Sequence, residues 1–199
     1  MNALIVVDVQ NDFLPGGALA VPQGDEIIAP INAMMDRFNL VVATQDWHPT
    51  GHGSFASSNS GARVGELRTL GGVPQVMWPD HCIENTYGAA LSTGLRLEPL
   101  ARIFRKGQDP TIDSYSGFFD NDRKRATGLG DWLRHHGITE VCIVGLATDY
   151  CVKATALDAA RLGFSATVDL SGCRGVELRP GDVAAAVAQL RAAGVRIVG

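Results

Sequence analysis

An α/β fold with a mainly parallel sheet is what this sequence predicts. Three observations carry that expectation. Short β-branched apolar runs alternate with stretches of helical period. The first run is too continuously apolar to leave one face in water, as in strands covered on both sides. Chemistry-bearing residues follow several runs directly, and ligands of open α/β sheets bind beyond the carboxyl ends of the strands.

Taken in order, Ala3–Val9 reads as a first strand. Asp25–Phe38 has a helical pattern, with Pro30 placed awkwardly inside it. Leu40–Gln45 is a second strand, and Ala101–Lys106 a third, weakened by its cationic residues. Leu129–His136 is a helix ended by Gly137, and Glu140–Gly145 a fourth strand. Thr148–Leu162 is a helix stopped by Gly163, with Phe164–Asp169 a fifth strand after it. Gly181–Ala193 is a last helix closed by Gly194, and Val195–Val198 a sixth strand. Between them, residues 46–100 show little periodicity. A structureless stretch that long in a compact domain is usually functional.

The chain has 199 residues, 46% of them hydrophobic, enough for one domain with a substantial core. Its formal charge of −4 leaves no electrostatic footprint for nucleic acid or an anionic membrane. No apolar run approaches the ~20 residues that span a bilayer. Asp8 interrupts the first run and no basic segment precedes it, which speaks against a signal peptide. The four cysteines form no CxxC pair, so free thiols and a reducing, cytoplasmic compartment are expected.

Asp8 follows the first strand. A carboxylate there needs a partner, and loop amides would serve as well as a catalytic one. Asp46 and His48 follow the second strand two residues apart. In extended chain they face the same way, as a pair of metal ligands would. His52 and His81 add two imidazoles in the same long segment, although each could equally bond loop backbone. His135 and His136 end a helix, where positive charge suits the dipole, and receive no function. Lys106 follows the third strand; taken alone it reads as a solvated charge. After the fourth strand Thr148 or Asp149 can cap a helix whose first turn holds Cys151, and that terminus would favour a thiolate. Cys142 and Cys173 read as small core residues, and Cys82 as a buried neighbour of His81. An acid, an ammonium and a thiol at three strand ends supply a general base, a charge stabiliser and a nucleophile.

The ordered series DVQNDF (8–13), DWHPTGHGSF (46–55), WPDHC (78–82), FRKG (104–107), DSYSGFFDN (113–121) and GLATDYCV (145–152) resembles bacterial nicotinamidases of the isochorismatase-like cysteine hydrolase superfamily. The likeness runs from residue 3 to about 176, through SGCRGV. It implies a single domain over residues 1–199 with a three-layer α/β/α sandwich on a six-stranded sheet. It implies hydrolysis of nicotinamide, and of pyrazinamide, in NAD salvage. By position it implies Asp8 as base, Lys106 as stabiliser and Cys151 as nucleophile. The amides of Ala147 and Cys151 would form an oxyanion hole beside a cis Leu146–Ala147 peptide. Phe13 and Trp78 would line the ring pocket, with Tyr115 near its mouth. Asp46, His48 and His81 would hold one divalent metal, Zn²⁺ first, with Mn²⁺ and Fe²⁺ also compatible. His52 would be an outer or fourth ligand. Oligomeric state stays open.

The metal set argues against carbamoylsarcosine- or ureidoacrylate-type relatives, and Cys151 against isochorismatase chemistry. A non-catalytic zinc or flavin module is the reading from another class. It is weakened on the flavin side because no phosphate-cradling glycine turn follows the first strand.

Overall fold

The computed structural model describes residues 1–199. Its main sheet holds β1 (Asn2–Val7), β2 (Leu40–Asp46), β5 (Leu100–Lys106), β6 (Glu140–Leu146), β7 (Ser165–Arg174) and β8 (Arg196–Val198). The order across the sheet is β5-β2-β1-β6-β7-β8, and every pairing is parallel. A separate two-stranded antiparallel hairpin is formed by β3 (Leu67–Leu70) and β4 (Val73–Val76). The helices are α1 (Ile28–Met34), α2 (Leu129–His135), α3 (Lys153–Arg161) and α4 (Asp182–Ala192). Crossovers between parallel strands are right-handed. The first, β1 to β2, moves toward one edge of the sheet; those carrying α2, α3 and α4 move toward the other. That opposition puts α1 on one face and the other three helices on the second, making three layers.

The six expected sheet strands are all present. β1 sits near the middle, and Ala3–Val7 are completely buried, as a continuous apolar run requires. β5 tolerates its cations because it is an edge strand open to water on one side. There the Arg105 guanidinium lies 3.7 Å from the centroid of the Trp47 ring, and Arg102 lies 4.9 Å from that of Phe104.

Three expectations change. The helix expected over 25–38 is divided into a 3-10 turn at Gly24–Ile27, α1, and a second 3-10 turn at Met35–Arg37. Pro30 becomes the third residue of α1, in the first turn, where its missing N–H costs nothing. The segment 46–100 contains the β3–β4 hairpin, joined by Gly71-Gly72, both at positive φ. Two glycines at positive φ are what a two-residue hairpin turn of matching twist demands. Cys142, expected in the core, is only half-buried, whereas Cys82 and Cys173 are buried. No helix is long and apolar enough to cross a membrane.

The chain runs from β1 outward to β2 and β5, then restarts on the other side at β6. The sheet therefore reverses its winding between β1 and β6, and a crevice opens beyond their carboxyl ends.

Candidate active site

Asp8 lies immediately beyond β1, at φ +50°, a left-handed conformation uncommon for a residue with a Cβ. Its carboxylate is fully buried. Oδ1 accepts a 2.6 Å hydrogen bond from Thr44 Oγ1. Oδ2 lies 2.9 Å from Lys106 Nζ but accepts no aligned hydrogen bond. Lys106 ends β5, two strands away, and its extended side chain is itself buried. Nζ donates to Asp46 Oδ1 at 2.5 Å, to the Ser114 carbonyl at 2.8 Å and toward Cys151 Sγ at 3.4 Å. Asp8, Asp46 and Cys151 bring one oxygen or sulfur atom each within 4.8 Å of one another. An acid, an ammonium and a thiol from three strand ends thus meet in one crevice.

The surroundings set their protonation. Burial pushes the Asp8 carboxyl up from 3.8 to about 6, against the pull of Lys106 and Thr44 and with a further push from Asp46. Burial would also raise Asp46, but Lys106, His48 and His81 together hold it below the usual carboxylate range. The Lys106 ammonium pays a burial penalty that its two carboxylates more than offset, so it stays charged. Burial pushes the Cys151 thiol well up, and Lys106 only partly opposes this. The thiolate expected from a helix terminus is therefore not the resting form. The helix also starts later than expected: residues Thr148–Val152 make one wide π-type turn, and α3 begins only at Lys153. Neither Thr148 nor Asp149 caps that turn. Asp149 instead accepts the N–H groups of Val176 (3.0 Å) and Glu177 (2.8 Å). Just before the turn, the Leu146–Ala147 peptide is cis, and the Ala147 N–H makes no backbone hydrogen bond.

Asp46, His48 and His81 form a second cluster against the first. His48 Nδ1 pairs with the Gly107 carbonyl and His81 Nδ1 with the Pro79 carbonyl, each at 2.8 Å. Both rings therefore turn Nε2 toward Asp46 Oδ2, at 3.7 and 4.0 Å respectively. His48 Nε2 is buried without any hydrogen-bond partner. Burial pushes His81 down to about 4, with His48 adding to the effect, so its ring is neutral near pH 7. Two imidazoles with their Nδ1 atoms anchored, aimed with a carboxylate at one point, fit a divalent cation. Gly107 is constrained there: at φ +66° a Cβ would meet His48 Cε1 at 2.4 Å. His52 differs, because Nδ1 pairs with Ser54 Oγ and Nε2 with the Asp109 carbonyl, both at 2.8 Å. Both of its nitrogens thus have partners, whereas His48 Nε2 has none, and His48, His52 and Asp113 bring one ligand atom each within 4.8 Å of one another.

Beside both clusters is a tight cavity of about 30 Å³, lined mainly by apolar side chains. Phe13, Trp78 and Tyr115 line it, with Cys151, Ala147, Asp46 and His81 at its reactive side. Leu19, Asp113, Tyr150 and Val176 line it too, and sequence reasoning missed them. Asp113, Tyr150 and Val176 had a signal in the DSYSGFFDN, GLATDYCV and SGCRGV segments; Leu19 had none. Gln10 was missed as well. Its buried amide donates to the Asp46 carbonyl and accepts the Asp46 N–H, both at 2.8 Å, pinning the main chain at the metal cluster.

Comparisons agree with this arrangement. The Isochorismatase domain family matches residues 2–199. A nicotinamidase of Escherichia coli (strain K12) is 50% identical over 200 residues, covering 98% of this chain and 93% of that protein. The structure of an Acinetobacter baumanii nicotinamidase and pyrazinamidase superposes with a TM-score of 0.96 at 44% identity, over 99% of this chain and 95% of that one. A Pyrococcus horikoshii pyrazinamidase, solved in complex with zinc, superposes with a TM-score of 0.80 at 39% identity, over 99% and 98% of the two chains. With its sheet, its strand-end cluster and its full-length match, this chain belongs to the isochorismatase domain family.

Proposed function

We propose that this chain is a nicotinamidase, an amidohydrolase that converts nicotinamide to nicotinate and ammonia through a Cys151 thioester and serves NAD salvage. The observation that carries it is the meeting of Asp8, Lys106 and Cys151, the last of which lines a mainly apolar cavity shared with Phe13, Trp78 and Tyr115. Full-length identity of 50% to a nicotinamidase supports the substrate. Pyrazinamide, a ring amide of the same size, is the expected second substrate.

Each residue has a role that its surroundings support. Thr44 occupies one oxygen of Asp8, leaving Oδ2 to take the proton from the Cys151 thiol. Lys106, held by two carboxylates and a carbonyl, stabilises the thiolate as it forms. Sγ attacks the amide carbonyl, and the Ala147 and Cys151 N–H groups hold the developing oxyanion, a contribution typically of several kcal/mol. The C–N bond breaks as Asp8 returns its proton to nitrogen, and ammonia leaves. Water, deprotonated by Asp8, then attacks the thioester, releasing nicotinate and restoring the thiol.

Asp46, His48 and His81 would hold the divalent ion, for which Zn²⁺ is our assignment. When bound, it would supply a positive centre that orients the ring nitrogen. Phe13, Trp78 and Tyr115 would sandwich the ring. Residues 1–199 act as one hydrolase domain in this reading. The four free cysteines suit the reducing conditions of the cytoplasm. Incubation with nicotinamide tests the proposal: stoichiometric ammonia and nicotinate support it, and no ammonia release with metal supplied refutes it.

A further inference from the structure

Every strand residue of the β3–β4 hairpin is at least partly exposed except Gln75 in β4, which is completely buried. A buried amide is costly unless its polar atoms are paired, and an apolar residue would anchor a hairpin more cheaply. Gln75 is paired on every side. Nε2 lies 2.8 Å from Asp113 Oδ2, 3.0 Å from the Tyr115 hydroxyl and 2.9 Å from the Val76 carbonyl. Oε1 accepts from Asn121 Nδ2 at 3.3 Å. Asn121 in turn accepts the Tyr115 N–H at 2.9 Å and donates its own N–H to the Asp113 carbonyl at 2.7 Å. The Tyr115 hydroxyl also accepts the indole N–H of Trp78 at 3.1 Å. Both lone pairs of that hydroxyl are thus directed at N–H groups, one from Trp78 and one from the hairpin. Trp78, Asp113 and Tyr115 line the ring cavity; Gln75 does not.

We propose that Gln75 is a positioning residue that fixes Tyr115 and Trp78 as one wall of the ring cavity, so that the hairpin sets ring selectivity. This rests on the reading of that cavity as the nicotinamide site. The amide reaches no reacting atom, so its effect falls on how tightly and how selectively a ring is held. Its two-sided chemistry matters: it donates to Asp113 and Tyr115 and accepts from Asn121, and no apolar or purely acidic side chain does both.

The test compares the metal-loaded wild type with Gln75→Leu, Gln75→Glu, and Gln75→Glu combined with Asp113→Asn. Substrates are nicotinamide and 5-methylnicotinamide; nicotinate binding is followed by calorimetry as a readout without turnover. Gln75→Leu should raise the nicotinamide KM and the nicotinate Kd roughly tenfold with kcat within about threefold, the loss of one or two net hydrogen bonds. It should also narrow the preference for nicotinamide over its 5-methyl analogue. Gln75→Glu alone sets two carboxylates against each other and should bind worse than Gln75→Leu. The double variant reverses donor and acceptor between positions 75 and 113 and should recover much of the lost affinity. A lowered melting temperature with KM, Kd and selectivity all unchanged would overturn the proposal, as would a double variant no better than Gln75→Glu. A wild type that releases no ammonia from nicotinamide fails earlier, and refutes the functional reading itself.

Discussion

Cys151 is 6% exposed and Asp8 is fully buried, so at the scale of single residues the site works against its own stability. Asp8 titrates near 6 rather than 3.8 because burial penalises its charge. A raised carboxyl favours the fold in its protonated form; that contribution is complete below about 3.8 and is lost as pH rises through about 6. Asp8→Asn should accordingly be inactive, and its stability in urea unfolding should lose the wild type's decline as pH rises through about 6. In the wild type, kcat/KM should fall about tenfold per pH unit below pH 6, because only ionised Asp8 can accept the thiol proton. Cys151→Ala should fold and bind metal normally but form no thioester, which mass spectrometry after rapid quenching would show. Near-normal turnover by that variant would refute the nucleophile.

At the scale of elements, the π-type turn and the segment after β7 are joined by one side chain. Asp149 bonds two backbone N–H groups of that segment, and Val176 within it lines the cavity. Bonds from N–H groups to a buried carboxylate are among the stronger ones, so Asp149→Ala should cost roughly 2–4 kcal/mol by denaturant unfolding and raise the nicotinamide KM. Asp149→Asn, which keeps one acceptor, should lie between. The turn after β5 is as constrained. Gly107→Ala puts a methyl against the His48 ring and forces a left-handed conformation on alanine. Its metal affinity, measured by equilibrium dialysis, should drop at least tenfold, as for other changes to groups that orient a ligand. An unchanged affinity would show that His48 does not depend on this turn.

At the scale of the molecule, the divalent ion and the fold stabilise each other. An ion that binds only the folded chain adds about 2.7 kcal/mol at a concentration 100 times its Kd. For a chain of 199 residues this is roughly 5–10 °C in melting temperature, to be read by calorimetry before and after chelation. His48→Ala should abolish most of that difference and raise the nicotinamide KM steeply. Benzamide, with the same amide and no ring nitrogen, should be a poor substrate with or without metal. Efficient benzamide turnover would contradict an orienting role for the ion.

What the sequence determined by itself was the sheet and the identity of its strand ends. Continuous apolar runs such as Ala3–Val7 can only be central strands, and the α/β alternation then puts Asp8, Asp46, Lys106 and Cys151 at one end of the sheet. The hairpin has a local signal too, since the Gly71-Gly72 pair is a two-residue turn sequence within the otherwise aperiodic residues 46–100. Tertiary structure decided the rest, because it depends on contacts between residues far apart in the chain. Lys106 is a surface lysine by local rules; it becomes a buried cation only because Asp8 and Asp46 converge on it from two other strands. His52 and His81 look alike in sequence, yet Ser54 and the Asp109 carbonyl take both nitrogens of one, and the other keeps Nε2 facing Asp46. Thr148 and Asp149 have the composition of a helix cap, but the distant 176–177 amides claim Asp149, and the chain makes a π-type turn instead. Gln75 carries no local signal at all, since only the packing of a hairpin over the cavity gives a buried amide its partners.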